Sequence, residues 1–452
     1  MARPLDLRPP PDLVPPQPPG PPQITTMIPR SASNLGGSPA LLSGSGFQVG
    51  AQVTIAGAAA SGARVLGPTQ IAFTLPAKLA TCGPVDVMVK NPDGKSVSAS
   101  DIFAFQAARL SFQPVQMYSM GSTPVALALM DLNRDGRPDL VTANQGAGTI
   151  SVRLALGDGT FGDVLPAQVG IKPAGLASAD LNGDSLRDLI VANSGSNSLT
   201  LLYGAGDGTF RNPAVLSTGS GPRGVAAGDL NNDNLPDLVA VNGGLSGGVV
   251  YLNNGDGSFR LGPALMTGGR PASVVIADLD GDGLRDLATA NQGDDAVGVL
   301  LNGGGGSFYG LPTLPAVMGV GNLIAVDWNG DKRMDLAYSA LAGGTVGVLM
   351  NLGAAGFEAS STINSLRSPA GLATADFNLD GFPDLAVSSY SGGTISLLLN
   401  QGNGSFDPPE TLAAGAQASQ VAAADLNGDR LPDLVSTSES TGSVIVRLNL
   451  CN

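Results

Sequence analysis

The chain has 452 residues with 64 glycines and 33 prolines; 13% of residues are charged, 4% are aromatic, and the formal net charge is −14. This composition predicts an all-β protein rich in tight turns. The acidic balance excludes a nucleic-acid binder, which needs basic patches, and the absence of histidine excludes His-dependent triads and His-ligated zinc or iron. No apolar run reaches the roughly 18 residues of a membrane helix. Of the 37 acidic residues only Glu358, Glu410 and Glu439 are Glu, and such an excess of Asp belongs in turns and cation sites.

Residues 1–23 hold ten prolines and cannot pack a core. They are expected to run as an extended polyproline tether, or to serve as a docking ligand for a proline-reading domain. The start lacks the basic-then-apolar pattern of a secretion signal, so either that signal is missing from this chain or export takes another route.

Residues 24–106 read as a small β-sandwich. The β-prone runs Gln52–Ile55, Ile71–Leu75 and Val85–Val89 are separated by Gly, Pro and Ser, and Val85, Val87 and Val89 alternate to give one buried face. Asn91-Pro92-Asp93-Gly94 is a turn. On Ile28-Pro29, Leu42 to Phe47, Ile71 to Pro76, Gly83-Pro84-Val85 and Val89 to Gly94, the segment resembles the IPT/TIG family of immunoglobulin-like domains. That resemblance implies a spacer or interaction module. Cys82 and Cys451 are either two unrelated thiols or a bridge from this domain to the C-terminus.

Residues 110–452 contain seven units of 49 residues. The Asp that opens the motif Asp131-Leu132-Asn133-Arg134-Asp135-Gly136-Arg137-Pro138-Asp139 recurs as Asp180, Asp229, Asp278, Asp327, Asp376 and Asp425. A fixed period of this length signals a propeller or another repeat array. In the first unit four strand-like pieces stand at Pro124–Met130, Leu140–Ala143, Thr149–Leu156 and Phe161–Val169. Phe161 also recurs, through Phe210, Phe259, Phe308, Phe357 and Phe406, after Gly-Asp-Gly-type turns. The first piece is rich in Ala and Gly, which suits a strand crowded near a central axis. The last unit lacks its outer strand, and Leu110–Val115 is left over at the start. Pairing the two closes a ring of seven and removes sticky sheet edges. The fold class is therefore all-β, a seven-bladed β-propeller with an N-terminal Ig-like β-sandwich. The array resembles the FG-GAP/VCBS repeat family, which includes the seven-bladed head of integrin α-subunits.

In the first loop Asp131, Asn133, Asp135 and Asp139 stand at positions 1, 3, 5 and 9, with the Arg137 carbonyl available at position 7. Alternate oxygen side chains on a tight loop can wrap a hard cation, and three carboxylates favour Ca²⁺ over Mg²⁺. Without a cation they repel one another. Position 12 holds Thr142, Val191, Ala240, Thr289, Tyr338, Val387 or Ser436 instead of Glu, so these are not EF-hands. The family resemblance carries the ligand positions to every loop. The second offers Asp180, Asn182, Asp184, Leu186 and Asp188, and the third Asp229, Asn231, Asp233, Leu235 and Asp237. The fourth, with an extra carboxylate and the tightest expected binding, offers Asp278, Asp280, Asp282, Leu284 and Asp286. The fifth has Asp327, Asn329, Asp331, Arg333 and Asp335. The sixth has Asp376, Asn378, Asp380, Phe382 and Asp384, and the seventh Asp425, Asn427, Asp429, Leu431 and Asp433. Up to seven Ca²⁺ are expected. The weakest are expected in the loops starting at Asp180, Asp327 and Asp425, where Ser185, Lys332 and Arg430 replace the Gly that a sharp turn prefers at position 6. The alternative is Asp-capped turns without metal. Asp158, Asp207 and Asp256 in the Gly-Asp-Gly turns read as turn formers, and Trp328, in the place of Leu132, as core.

The opposite face carries Asn144, Asn193, Asn242 and Asn291 with Gln145 and Gln292. These amides either bind a glycan or peptide or simply cap strand ends. No insertion breaks the repeat to build a catalytic pocket, and no catalytic or organic-cofactor residue is assigned. The resemblance implies a secreted or surface-displayed, bacterial-type adhesion or binding scaffold for a protein or glycan. The alternatives are a polysaccharide-active lyase or hydrolase and a structural envelope component.

Overall fold

The computed structural model describes residues 20–76, 82–106, 110–244, 246–353, 356–364 and 366–451. The proline-rich stretch expected to form a tether lies outside the described residues up to residue 19, and Gln23 already opens a strand. Strands and turns account for the described residues apart from one 3-10 turn at Glu439–Thr441. No helix among them is long and apolar enough to cross a membrane. The chain folds as two compact units that divide near residue 108.

The first unit has two four-stranded sheets and one three-stranded sheet. Period-two alternation decides its core: Val53 and Ile55, Ile71 and Phe73, and Val87 and Val89 are buried while their neighbours are not. Val85 falls before the strand Val87–Lys90 and is only partly buried against this core. Phe103 and Phe105 close it edge to face, with ring centroids 4.9 Å apart. Cys82 is disulfide-bonded.

Among the described residues the second unit holds six four-stranded antiparallel sheets, one five-stranded sheet and a two-stranded pair; strands follow one another in sequence in six blades, and in the seventh a strand from the start of the unit lies beside the last three. In the first blade these are Pro124–Met130, Asp139–Asn144, Thr149–Arg153 and Leu165–Gln168. The outer strand is shorter than its sequence suggests, because Phe161 makes only an isolated bridge to Ala155 before the chain rejoins the sheet at Leu165. In the last blade Gln116–Ser119 pairs with Ser443–Arg447, and Leu110–Phe112 pairs with Asn449–Cys451. The stretch that precedes the first complete blade thus supplies the outer strand of the seventh, in two pieces.

The second strand of every blade is buried from end to end. Its side chains pack between neighbouring blades. One cluster joins Leu132, Val141 and Ile150 of the first blade to Leu189, Val191 and Leu202 of the second. Another joins Leu426, Val435 and Val446 of the seventh to Leu140 and Phe161 of the first. The inner strands crowd closely enough that a Cβ on Gly175 would stand 2.2 Å from the Arg223 carbonyl oxygen. Small residues are therefore required there. Trp328 is fully buried and meets Phe406 edge-on at 5.2 Å, as its Leu-like position implies.

Candidate cation loops

Each Asp loop joins the inner strand of a blade to its second strand and is wound around its own carboxylates. The position-1 carboxylate accepts the N–H of position 6 at 2.7–3.0 Å in all seven loops. The position-5 carboxylate accepts the N–H of position 7 at 2.8–2.9 Å. To follow this path, positions 4 and 6 both take positive φ: Arg134 and Gly136, Gly183 and Ser185, Asn232 and Asn234, Gly281 and Gly283, Gly330 and Lys332, Leu379 and Gly381, and Gly428 and Arg430. Sequence reasoning weighed position 6 alone. Position 4 offsets it. Five loops have a glycine at one of the two places, the third has Asn at both, and the fourth has Gly at both. Backbone strain therefore does not single out the loops at Asp180, Asp327 and Asp425; the charges of Lys332 and Arg430 are what sets the last two apart.

Position 9 plays a different part. Asp139, Asp188, Asp237, Asp286, Asp335, Asp384 and Asp433 are fully buried. One oxygen of each accepts the N–H of loop position 2, and the other accepts an N–H sixteen residues further on, all at 2.7–3.0 Å. The carboxylate clamps the loop to the third strand. Burial pushes these carboxyls above the ordinary range, neighbouring carboxylates add to the rise, and the two N–H bonds oppose it. Asp384 and Asp433 are pushed up to about 7.

The fourth loop differs from the others in chemistry. In the other six, position 3 is Asn, and its Nδ2 donates to the position-5 carboxylate at 2.8–3.2 Å. Asp280 takes that place in the fourth loop and has no proton to give. Asp278, Asp280 and Asp286 each present an oxygen, all within 4.8 Å of one another, a disposition of three carboxylates found nowhere else among the described residues. An all-oxygen anionic set suits a hard divalent cation. The Gly-Asp-Gly-type turns do not join these loops: Asp158, Asp207 and Asp256 accept the N–H and hydroxyl two residues on and close their own turns.

Sequence reasoning missed the residues that link one loop to the next. Asn253, Asn302, Asn351, Asn400 and Asn449 give their N–H to a position-9 Asp. Their Nδ2 donates at 2.8–3.2 Å to the position-2 carbonyl of the preceding blade's loop. The signal was a 49-residue series of Asn that Ala155 and Gly204 interrupt. On the opposite face, Asn144 and Asn193 are buried and bonded to Thr149, Ser151, Ser198 and Thr200 within their own hairpins. Asn242 and Asn291 are buried as well. Asn144 and Asn193 thus brace strand ends, whereas Asn242 Oδ1 and both side-chain amide atoms of Asn291 have no hydrogen-bond partner among the described residues.

The molecule is thus an Asp-loop repeat propeller with an Ig-like domain at its N-terminal side. The FG-GAP-like repeat family matches residues 131–191, 180–240, 229–289, 278–338 and 376–436, and the IPT/TIG domain matches residues 22–106. The chain belongs to the FG-GAP-like repeat family. No curated protein matches it. Among solved structures it is similar to BBS1N in a complex with ARL6DN, at 13% identity and a TM-score of 0.55, covering 76% of this chain and 97% of that one. It is also similar to an auxiliary nutrient binding protein from Bacteroides ovatus, at 14% identity and a TM-score of 0.48, covering 96% and 99%. A protein from Lactobacillus plantarum matches at 12% identity and a TM-score of 0.48, covering 76% and 97%. At these identities the likeness concerns the fold alone.

Proposed function

We propose that this chain is an extracellular, calcium-stabilised binding scaffold that presents a propeller face to a protein or glycan and performs no chemistry of its own. The observation that carries the reading is the fourth loop, where Asp278, Asp280 and Asp286 converge without the amide that relieves the other six. A divalent cation there would neutralise charge that the loop's own hydrogen bonds cannot. Asp282 and the Leu284 carbonyl would complete the set, and the same five positions would serve in the other loops. Modules of modest affinity suit millimolar extracellular calcium. The IPT/TIG domain acts as a spacer. The propeller fold of BBS1N, seen in a complex with ARL6DN, is compatible with a partner-binding role.

The test is metal content together with a melting curve, before and after chelation and after return of Ca²⁺. Bound calcium with a reversible fall in Tm on chelation is the expected result. A metal-free chain with an unchanged melt would sink the calcium reading and leave the Asp as turn formers.

A further inference from the structure

The inner strands surround a cavity of about 420 Å³ on the propeller axis, lined by residues from all seven blades. That volume lies in the range of small-molecule sites, roughly 300–1,000 Å³. A strict repeat would give this cavity a wall of small, uncharged side chains. The second residue of the inner strand obeys the rule in six blades, with Val125, Ala174, Ala272, Gly321, Ala370 and Ser419. In the third blade it is Arg223, the one charged residue of the lining.

Arg223 is held in place. Its stem crosses Gly243, where an added Cβ would stand 2.7 Å from Arg223 Cδ, so glycine makes room for it. Its Nη1 donates to Gln292 Oε1 at 3.2 Å, across the boundary between the third and fourth blades. The next inner-strand position breaks the repeat too. It is Gly175, Gly224 and Gly371 in three blades but Asn322 and Gln420 in two others. Both of these spend their backbone N–H groups on Ser339 and Thr437, and their side-chain amides have no partner among the described residues.

We propose that the axial cavity binds a small organic carboxylate flanked by hydroxyl groups, of the uronic-acid class. Arg223 takes the carboxylate, and the amides of Asn322 and Gln420 take the hydroxyls. The planar guanidinium fork matches a carboxylate with two parallel hydrogen bonds. A single cation in a chain of net charge −14 suits a monoanion better than a phosphate dianion, which would call for more positive charge. Gln292 fixes the guanidinium before the ligand arrives and so lowers the ordering cost of binding. The inference deepens the binding-scaffold reading by naming a ligand class, and it does not depend on the cation loops.

Calorimetric titration of the full chain in calcium buffer with D-glucuronate, and with D-glucose as its neutral counterpart, tests the assignment. Saturable binding of glucuronate is expected, with glucose weaker by about tenfold or more. Arg223→Gln should weaken glucuronate by a similar factor. Gly243→Ala, which keeps the charge but displaces the stem, should weaken it several-fold, and Gln292→Ala likewise. Asp280→Asn should leave it unchanged, so a failure of the calcium reading would not be mistaken for a failure of this one. Circular dichroism and melting of each variant separate lost binding from lost folding. Equal binding of the two sugars, undiminished binding by a folded Arg223→Gln chain, or no saturable binding at millimolar glucuronate would overturn the proposal.

Discussion

Asp280→Asn turns the fourth loop into a copy of the other six, and the stability it gains should shrink as calcium is added. In chelator, wild type holds Asp278, Asp280 and Asp286 with oxygens within 4.8 Å of one another. At that separation and an effective dielectric constant of about 40–80, each like-charge pair costs about 1–2 kcal/mol. The substitution removes two such pairs, a gain of about 2–4 kcal/mol, and installs the Asn-to-Asp bond of the other loops. A propeller of roughly 340 residues changes stability by about 0.7 kcal/mol per degree near its midpoint, so Tm in chelator should rise by about 3–6 °C. In millimolar calcium the variant gives up a carboxylate at the site expected to bind most tightly. Filling sites of about 0.1–1 mM affinity at about 1 mM calcium contributes roughly 0.4–1.4 kcal/mol each, so seven sites should raise wild-type Tm by about 4–14 °C. The variant should rise by less. Scanning calorimetry of both chains in chelator and in a calcium series reads the narrowing gap. A variant that melts below wild type by the same margin in both conditions would show that Asp280 supports the loop by some means other than holding a cation.

Asn302→Ala should cost about 1–3 kcal/mol, because the buried Nδ2 that reaches the Leu230 carbonyl at 2.8 Å and the Arg285 carbonyl at 2.9 Å is lost; thermal melting checks it. Burial holds the Glu439 carboxyl above its ordinary value, against bonds from Ser419 and Tyr390 that lower it. The unfolded chain therefore releases that proton first, so stability is greatest below the unfolded value and falls as pH rises through the folded one. Glu439→Gln should flatten this part of a Tm-against-pH profile, and an unchanged profile would contradict the assignment. Trp328→Ala should cost about 3–5 kcal/mol, since the indole is fully buried against Phe406, measured by denaturant unfolding followed by circular dichroism.

The architecture was legible because it is written as repetition. Asp131 and its six successors fix the period, and the Ala-rich inner strands place the axis. The leftover stretch before Pro124 announces a shared last blade. What could not be read depends on backbone angles or on partners distant in sequence. Arg134 and Leu379 give no sign that they must take positive φ; that follows from how the position-1 carboxylate gathers N–H groups. The asparagine latches join residues 72 apart, a distance that means nothing until the blades are set side by side. Asn144 and Asn193 looked like candidate ligand contacts because strand-end amides look the same in sequence whether they point to solvent or into a hairpin.

A repeat also separates what the fold needs from what a single position adds. Position-9 Asp never varies across the seven loops, and it is buried and clamped in each, so it belongs to the fold. Asp280 and Arg223 each appear once where six other units agree on something else or on something small, and each places a charge that its neighbours do not require. The latch series is broken as well. Ala155 and Gly204 stand where Asn would tie the first blade to the seventh and the second blade to the first. At the first of these boundaries a backbone bond from Gly159 to the Leu426 carbonyl, at 3.1 Å, takes over. At the second, the exposed Arg134 reaches the Ser185 carbonyl at 2.7 Å. Neither replaces a buried amide with two acceptors, so opening of the ring should begin at the first blade. Native-state hydrogen exchange should therefore reach the amides of Asp139–Asn144 before those of Asp286–Asn291 and Asp335–Ala340, although all three strands are equally buried. Uniform exchange across the three would mean that apolar packing between blades, and not the latch, sets local stability.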